Sequence, residues 1–264
     1  MLWLCAYYGL LLGGLATMLV DGLGRAAFLA YYAGMPLGAL AVWGLNRRRL
    51  TALGWSAYPG VARDLALGIT GAAAAVGLVA ALLAAAGWAS PGDPRAGVAR
   101  FLAVLAAQQA LVAGFEELAF RGVIQALLVD RLGVARGVAM AAALFGLFHL
   151  PNLIYQEVPA RLIPVALLNL TVMGIVFGAV FERGGRRLAL PFALHLGWNL
   201  AAYTLEDGFR LSLTGPEALA GRPVWFPETG LASLLGLAFV GWVARALAAS
   251  QRQRRGWARD RQGA

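Results

Sequence analysis

Apolar residues run along this chain in long blocks parted by short polar breaks, and the block lengths predict helices that cross a membrane. The blocks are Leu2 to Val20, Ala26 to Leu45, Leu65 to Trp88, 101 to 129, Gly137 to about Ile154, Leu162 to Phe181, Leu188 to about Leu205, and Gly230 to Ala249. Each holds roughly 18 to 28 residues, enough to cross a hydrocarbon core about 30 Å thick at about 1.5 Å per residue. The pattern predicts an all-α polytopic membrane protein with about eight transmembrane helices in one bundle, a single membrane domain over residues 1–264. The first block has no basic stretch ahead of it and no small-residue cleavage site after it, so a retained helix is expected there. Gly9 and Gly13, and again Gly174 and Gly178, have the four-residue spacing that lets helices approach closely. Ser90-Pro91-Gly92-Asp93-Pro94 reads as a turn, Glu182 to Arg187 as a tight charged turn, and 206–229 as the longest loop, polar and rich in Pro and Gly.

Composition narrows the class. A chain that is 60% hydrophobic and 13% charged is too apolar for a soluble domain. Its single cysteine, Cys5, excludes an intrachain disulfide and a multi-cysteine metal site. All 22 basic residues are arginine, and with the rich Ala and Gly content this suggests a bacterial source. With the N-terminus inside, the inner loops and tail hold 15 arginines and the outer loops 6, which puts both termini in the cytoplasm. The basic tail 251–264 then faces anionic lipid headgroups, and its charge requires no nucleic-acid partner.

Against that apolar background the polar residues inside blocks stand out. Glu116-Glu117-Leu118-Ala119-Phe120-Arg121 places two carboxylates and a guanidinium at membrane depth, each costing several kcal/mol. On a helix Glu117 and Arg121 stack at i,i+4 with the acid first, the favourable order, whereas Glu116 lies about 100° round and is left for another task. The chain has two histidines, His149 and His195, and both fall inside apolar blocks. His195 and Asn199 share a helix face, as do Phe145 and His149. Asn169 and Thr171 are the polar residues of the sixth block. Counted from the inner end, Glu116 is about 13 residues in, His149 about 12 and Asn199 about 11, so they lie at one level, with His195 one turn nearer the cytoplasm.

This set can do hydrolytic chemistry. A carboxylate and an imidazole can hold a water between them and take its proton, and the side chains of His195 and Asn199 are suitable donors to a tetrahedral oxyanion. No Ser or Cys lies near these motifs, so direct attack by water is favoured over an acyl-enzyme. Two other classes use the same residues: a proton-coupled transporter with Glu116, His149 and His195 as a relay, and a non-catalytic immunity or scaffold protein. The absence of an internal repeat speaks against the first, and the retention of costly buried charges against the second.

Glu116-Glu117-x-x-x-Arg121, Phe145-x-x-x-His149 and His195-x-x-x-Asn199, in order and inside spans, resemble the three motifs of the CAAX-protease and bacteriocin-processing (Abi) family of intramembrane glutamic endopeptidases, type II CAAX prenyl proteases. Phe120-Arg121-Gly122, Leu144-Phe145-Gly146 and Pro191 fit the same pattern. The resemblance implies a membrane endopeptidase with its catalytic motifs within 101–205. It implies that Glu116 and His149 activate water, that His195 and Asn199 form the oxyanion hole, and that Glu117, Arg121 and Phe145 support the site. It implies a membrane-associated or lipid-modified peptide or protein as substrate, with the bilayer as the medium. No cofactor is expected; a zinc alternative stays open, since it would need Glu116, His149 and His195 together as three ligands plus water.

Overall fold

The computed structural model describes residues 57–246, residues 53–55 and scattered helical positions between 34 and 44. The first predicted span, most of the second, Cys5 and the basic tail lie outside the described residues. Helix α1 is Val61–Ala85 and is followed by the short strand β1, Ala89–Ser90. Helix α2, Val98–Glu117, runs without a break into a π-helical stretch, Leu118–Gln125, and then α3, Ala126–Leu132. Helix α4, Val134–Phe148, meets the short α5, Leu150–Tyr155, at His149. Helix α6 is Ile163–Arg183 and α7 is Ala189–Tyr203, which continues as π turns through Gly208. Strand β2 is Ser212–Leu213, α8 is Glu217–Ala220 and α9 is Ser233–Ala246.

Among the described residues, four helices are long and apolar enough to cross a membrane: Val61–Ala85, Val98–Leu132, Val134–Tyr155 and Ile163–Arg183. The expected seventh span is shorter, 15 residues in α7, and the eighth is helical only from Ser233 within the described part. The count of about eight is therefore not reached among the described residues. A second correction concerns the acidic motif. Its i,i+4 spacing presumes α geometry throughout, but Leu118–Gln125 is π-helical, a rare form with i→i+5 hydrogen bonds that recurs at functional sites.

Two helix pairs, α1 with α7 and α4 with α6, form the body of the bundle, and small residues set their separation. A Cβ on Gly174 would stand 2.8 Å from the Cα of Ala142, and one on Gly178 2.5 Å from Oε1 of Gln125. The glycine spacing of the sixth span thus marks a true helix contact. Gly146 meets Thr171 of α6, and Gly197 meets the backbone of Ile69 on α1. These two glycines lie three residues before His149 and two after His195, so helices approach closely beside both histidines.

The segment 206–229 is not an open loop. Strand β2 pairs antiparallel with β1, Ala89 opposite Leu213, which ties the segment to the turn after α1. Beyond α8 the chain dips back into the bundle: Phe226, Glu228 and Thr229 are all buried.

Candidate active site

The last turn of α2 carries Glu116 and Glu117 and the π-helical stretch that follows carries Arg121, and all three are at most 1% exposed. Arg121 Nη1 lies 3.1 Å from Glu117 Oε1, the expected i,i+4 pair. Helical spacing predicts that partner alone. The structure adds a second: Nδ1 of His195, on α7, donates to the same Oε1 across 2.9 Å. Glu117 therefore binds one helix to another as well as neutralising the arginine. The guanidinium also stacks on Phe145, 4.4 Å from the ring centroid, a contact worth about 2 kcal/mol when desolvated.

His149 sits where α4 gives way to α5. Pro151 has no amide hydrogen to continue the α4 ladder, and the histidine backbone turns there with φ −83° and ψ −13°. Its Nδ1 lies 2.8 Å from the Phe145 carbonyl oxygen. A carbonyl can only accept, so Nδ1 carries a hydrogen, and in the neutral ring Nε2 presents its lone pair. That Nε2 faces Glu116, 3.6 Å from Oε2. Nε2 of His195 reaches the same oxygen at 3.8 Å.

Glu116 Oε2 accepts no hydrogen bond from any described residue. At 3.6 Å the contact to His149 is too long to be a hydrogen bond itself, but a water about 2.8 Å from each atom fits beside the pair. Phe145, which the motif alone does not separate from core packing, wedges against both imidazoles, with centroids 4.7 Å from His149 and 6.1 Å from His195. Phe120 packs edge-on against Phe145 and Phe148.

Glu116, His149, His195 and Asn199 line one cavity of about 250 Å³. Asn199 donates from Nδ2 to Oε1 of Gln109 across 2.9 Å. In the sequence Gln109 reads only as a polar residue before the acids. Its separation from Glu116, seven residues or two turns on one helix face, is the signal that it belongs to the site. Trp225, Phe226 and Glu228 also line the cavity and escape sequence reasoning, because they come from a segment with no periodicity. Asn169 does not reach Glu116; it holds that segment, donating to the carbonyl oxygens of Glu228 and Gly230. Thr171 packs against Gly146. Among the described residues no cluster of three His, Cys, Asp or Glu side chains is arranged to hold a metal ion.

Residues 98–201 match the model of the Rce1-like family, described as type II CAAX prenyl endopeptidase Rce1-like. The match begins with α2 and ends two residues beyond Asn199, so it contains all seven site residues named from the sequence. No curated protein matches the chain. That family is a protease family, and with the four apolar helices the match describes an integral membrane protein.

Proposed function

We propose, on the premise that residues 98–201 form an Rce1-like protease core, that the chain is an intramembrane endopeptidase acting on a membrane-associated or lipid-modified peptide. The observation that carries this reading is the convergence of the Nε2 atoms of His149 and His195 on one oxygen of Glu116, inside a cavity within an apolar bundle.

In this reading a water lies between Glu116 and His149. The Nε2 lone pair and the carboxylate together orient it and take its proton as its oxygen attacks the peptide carbonyl. The oxyanion that forms is met by His195 and by the N–H of Asn199 not used on Gln109. Nδ1 of His195 is held by Glu117, so for Nε2 to donate the ring must carry both protons. The oxyanion then collapses, the C–N bond breaks, and the proton taken from water passes to the leaving amine, which returns the site to its starting state. No described residue lining the cavity is a serine or cysteine, which fits attack by water. The mechanism uses no metal; cleavage that survives chelation supports this, and loss restored by zinc would replace it with a zinc site at Glu116, His149 and His195. The arginine distribution further supports a bacterial cell membrane with both termini in the cytoplasm.

The test is comparative proteomics of membranes from cells bearing the native protein and Glu116→Gln. A small membrane or lipid-modified peptide truncated only with the native protein supports the protease and identifies its substrate. Unaltered cleavage by Glu116→Gln overturns it.

A further inference from the structure

The segment 222–230 closes over the cavity, and its position is held from several directions. Asn169, fully buried on α6, donates from Nδ2 to the Glu228 carbonyl at 2.7 Å and to the Gly230 carbonyl at 2.9 Å. The indole N–H of Trp198 on α7 donates to the Glu228 carboxylate. The Glu206 carboxylate faces the backbone N–H groups of Trp225 and Phe226. Thr229 Oγ1 accepts from the Arg222 N–H at 3.0 Å and donates to the Arg222 carbonyl at 3.1 Å, closing the loop on itself.

At the centre of this clamped segment Trp225 has φ +60°, a left-handed conformation that bulky residues rarely adopt. Such a residue persists only where its surroundings over-determine it, and such residues gather at functional sites. The indole ring meets the His149 imidazole edge-on, centroids 5.7 Å apart and planes at 89°. His149 is otherwise held through Nδ1 on the Phe145 carbonyl and by the Phe145 and Phe148 rings. That hydrogen bond fixes one atom of the ring, and the Phe145, Phe148 and Trp225 rings bracket the rest of it, the indole being the one that comes from outside α4.

We propose that Trp225 is a positioning residue: it locks the His149 ring with Nε2 turned to Glu116 and covers it, and Asn169 is the anchor that keeps the indole there. This rests on the protease reading for its catalytic meaning, but the test reads the histidines and not turnover. The full-length protein in detergent is treated with diethyl pyrocarbonate, and carbethoxylation of His149 and His195 is followed separately by peptide mass spectrometry, which two histidines make simple. In Trp225→Ala and in Asn169→Leu the rate at His149 is expected to rise about tenfold, while that at His195 stays within about twofold. Trp225→Phe, which keeps an aromatic edge, is expected to react like the native protein. An unchanged rate at His149 in Trp225→Ala, or an equal rise at both histidines, overturns the proposal. Failure of Glu116→Gln to abolish cleavage would instead remove the protease reading and leave this result standing.

Discussion

Nδ1 of His195 donates to Oε1 of Glu117 across 2.9 Å, so the second acid of the motif orients a histidine 78 residues away on another helix. The same oxygen faces Arg121 at 3.1 Å, and one carboxylate thus neutralises a guanidinium and aims an imidazole together.

Removing either member of the Glu117–Arg121 pair therefore has unequal effects. Arg121→Ala leaves the carboxylate with His195 still donating, so the loss should lie at the low end of the usual 3–5 kcal/mol for breaking a buried pair, about 3 kcal/mol. Glu117→Ala removes the carboxylate that faces Arg121 and accepts from His195 Nδ1, and should cost more. Thermal unfolding in detergent checks the order; a Glu117→Ala protein more stable than Arg121→Ala would show that the shared carboxylate does not govern stability here.

Gln109 holds Asn199 through a hydrogen bond in which the glutamine oxygen accepts. In the protease reading Asn199→Ala removes a proposed oxyanion donor, and kcat should fall by about 10²–10³. Gln109→Leu keeps the donor but frees its orientation, and the fall should be smaller, about tenfold. Single-turnover cleavage of the substrate found by proteomics measures both, and equal effects would make Gln109 a direct participant.

Gly197 packs against the backbone of Ile69, which cannot yield as a side chain can. Gly197→Ala should cost about 1–3 kcal/mol and displace α7 near His195, lowering folded yield and activity together. Gly114→Ala is the control, because its Cβ would meet only Phe192 at 3.8 Å, an ordinary contact.

Burial, with Asp207 and Glu228 nearby, pushes the Glu206 carboxyl up to about 8 from an ordinary 4.5, against the pull of the two backbone N–H groups. A raised acid binds its proton more tightly when the segment is closed than when it is open. Closure therefore weakens as pH rises from about 4.5 to about 8. Amide exchange at Trp225 and Phe226, corrected for its intrinsic pH dependence, should speed up across that window. Glu206→Gln should abolish the slope; a slope that persists would assign it to another group.

The sequence by itself pointed to a membrane protein and named seven residues of the candidate site. Charges are so costly in hydrocarbon that Glu116, Glu117, Arg121, His149, His195 and Asn199 could be found as exceptions to an apolar pattern, and i,i+4 spacing paired them without coordinates. The π-helical turns at Leu118–Gln125 were not legible, because α and π ladders share one apolar pattern over so few residues. Nor was the second role of Glu117, since helical spacing reports neighbours on one helix and says nothing of which other helix packs alongside. Only the tertiary structure brought Trp225 and Glu228 to the cavity and set Asn169 to hold them there. Their segment has no periodicity to read, and its place is set by hydrogen bonds between residues some 30 to 60 positions apart, which no local pattern encodes.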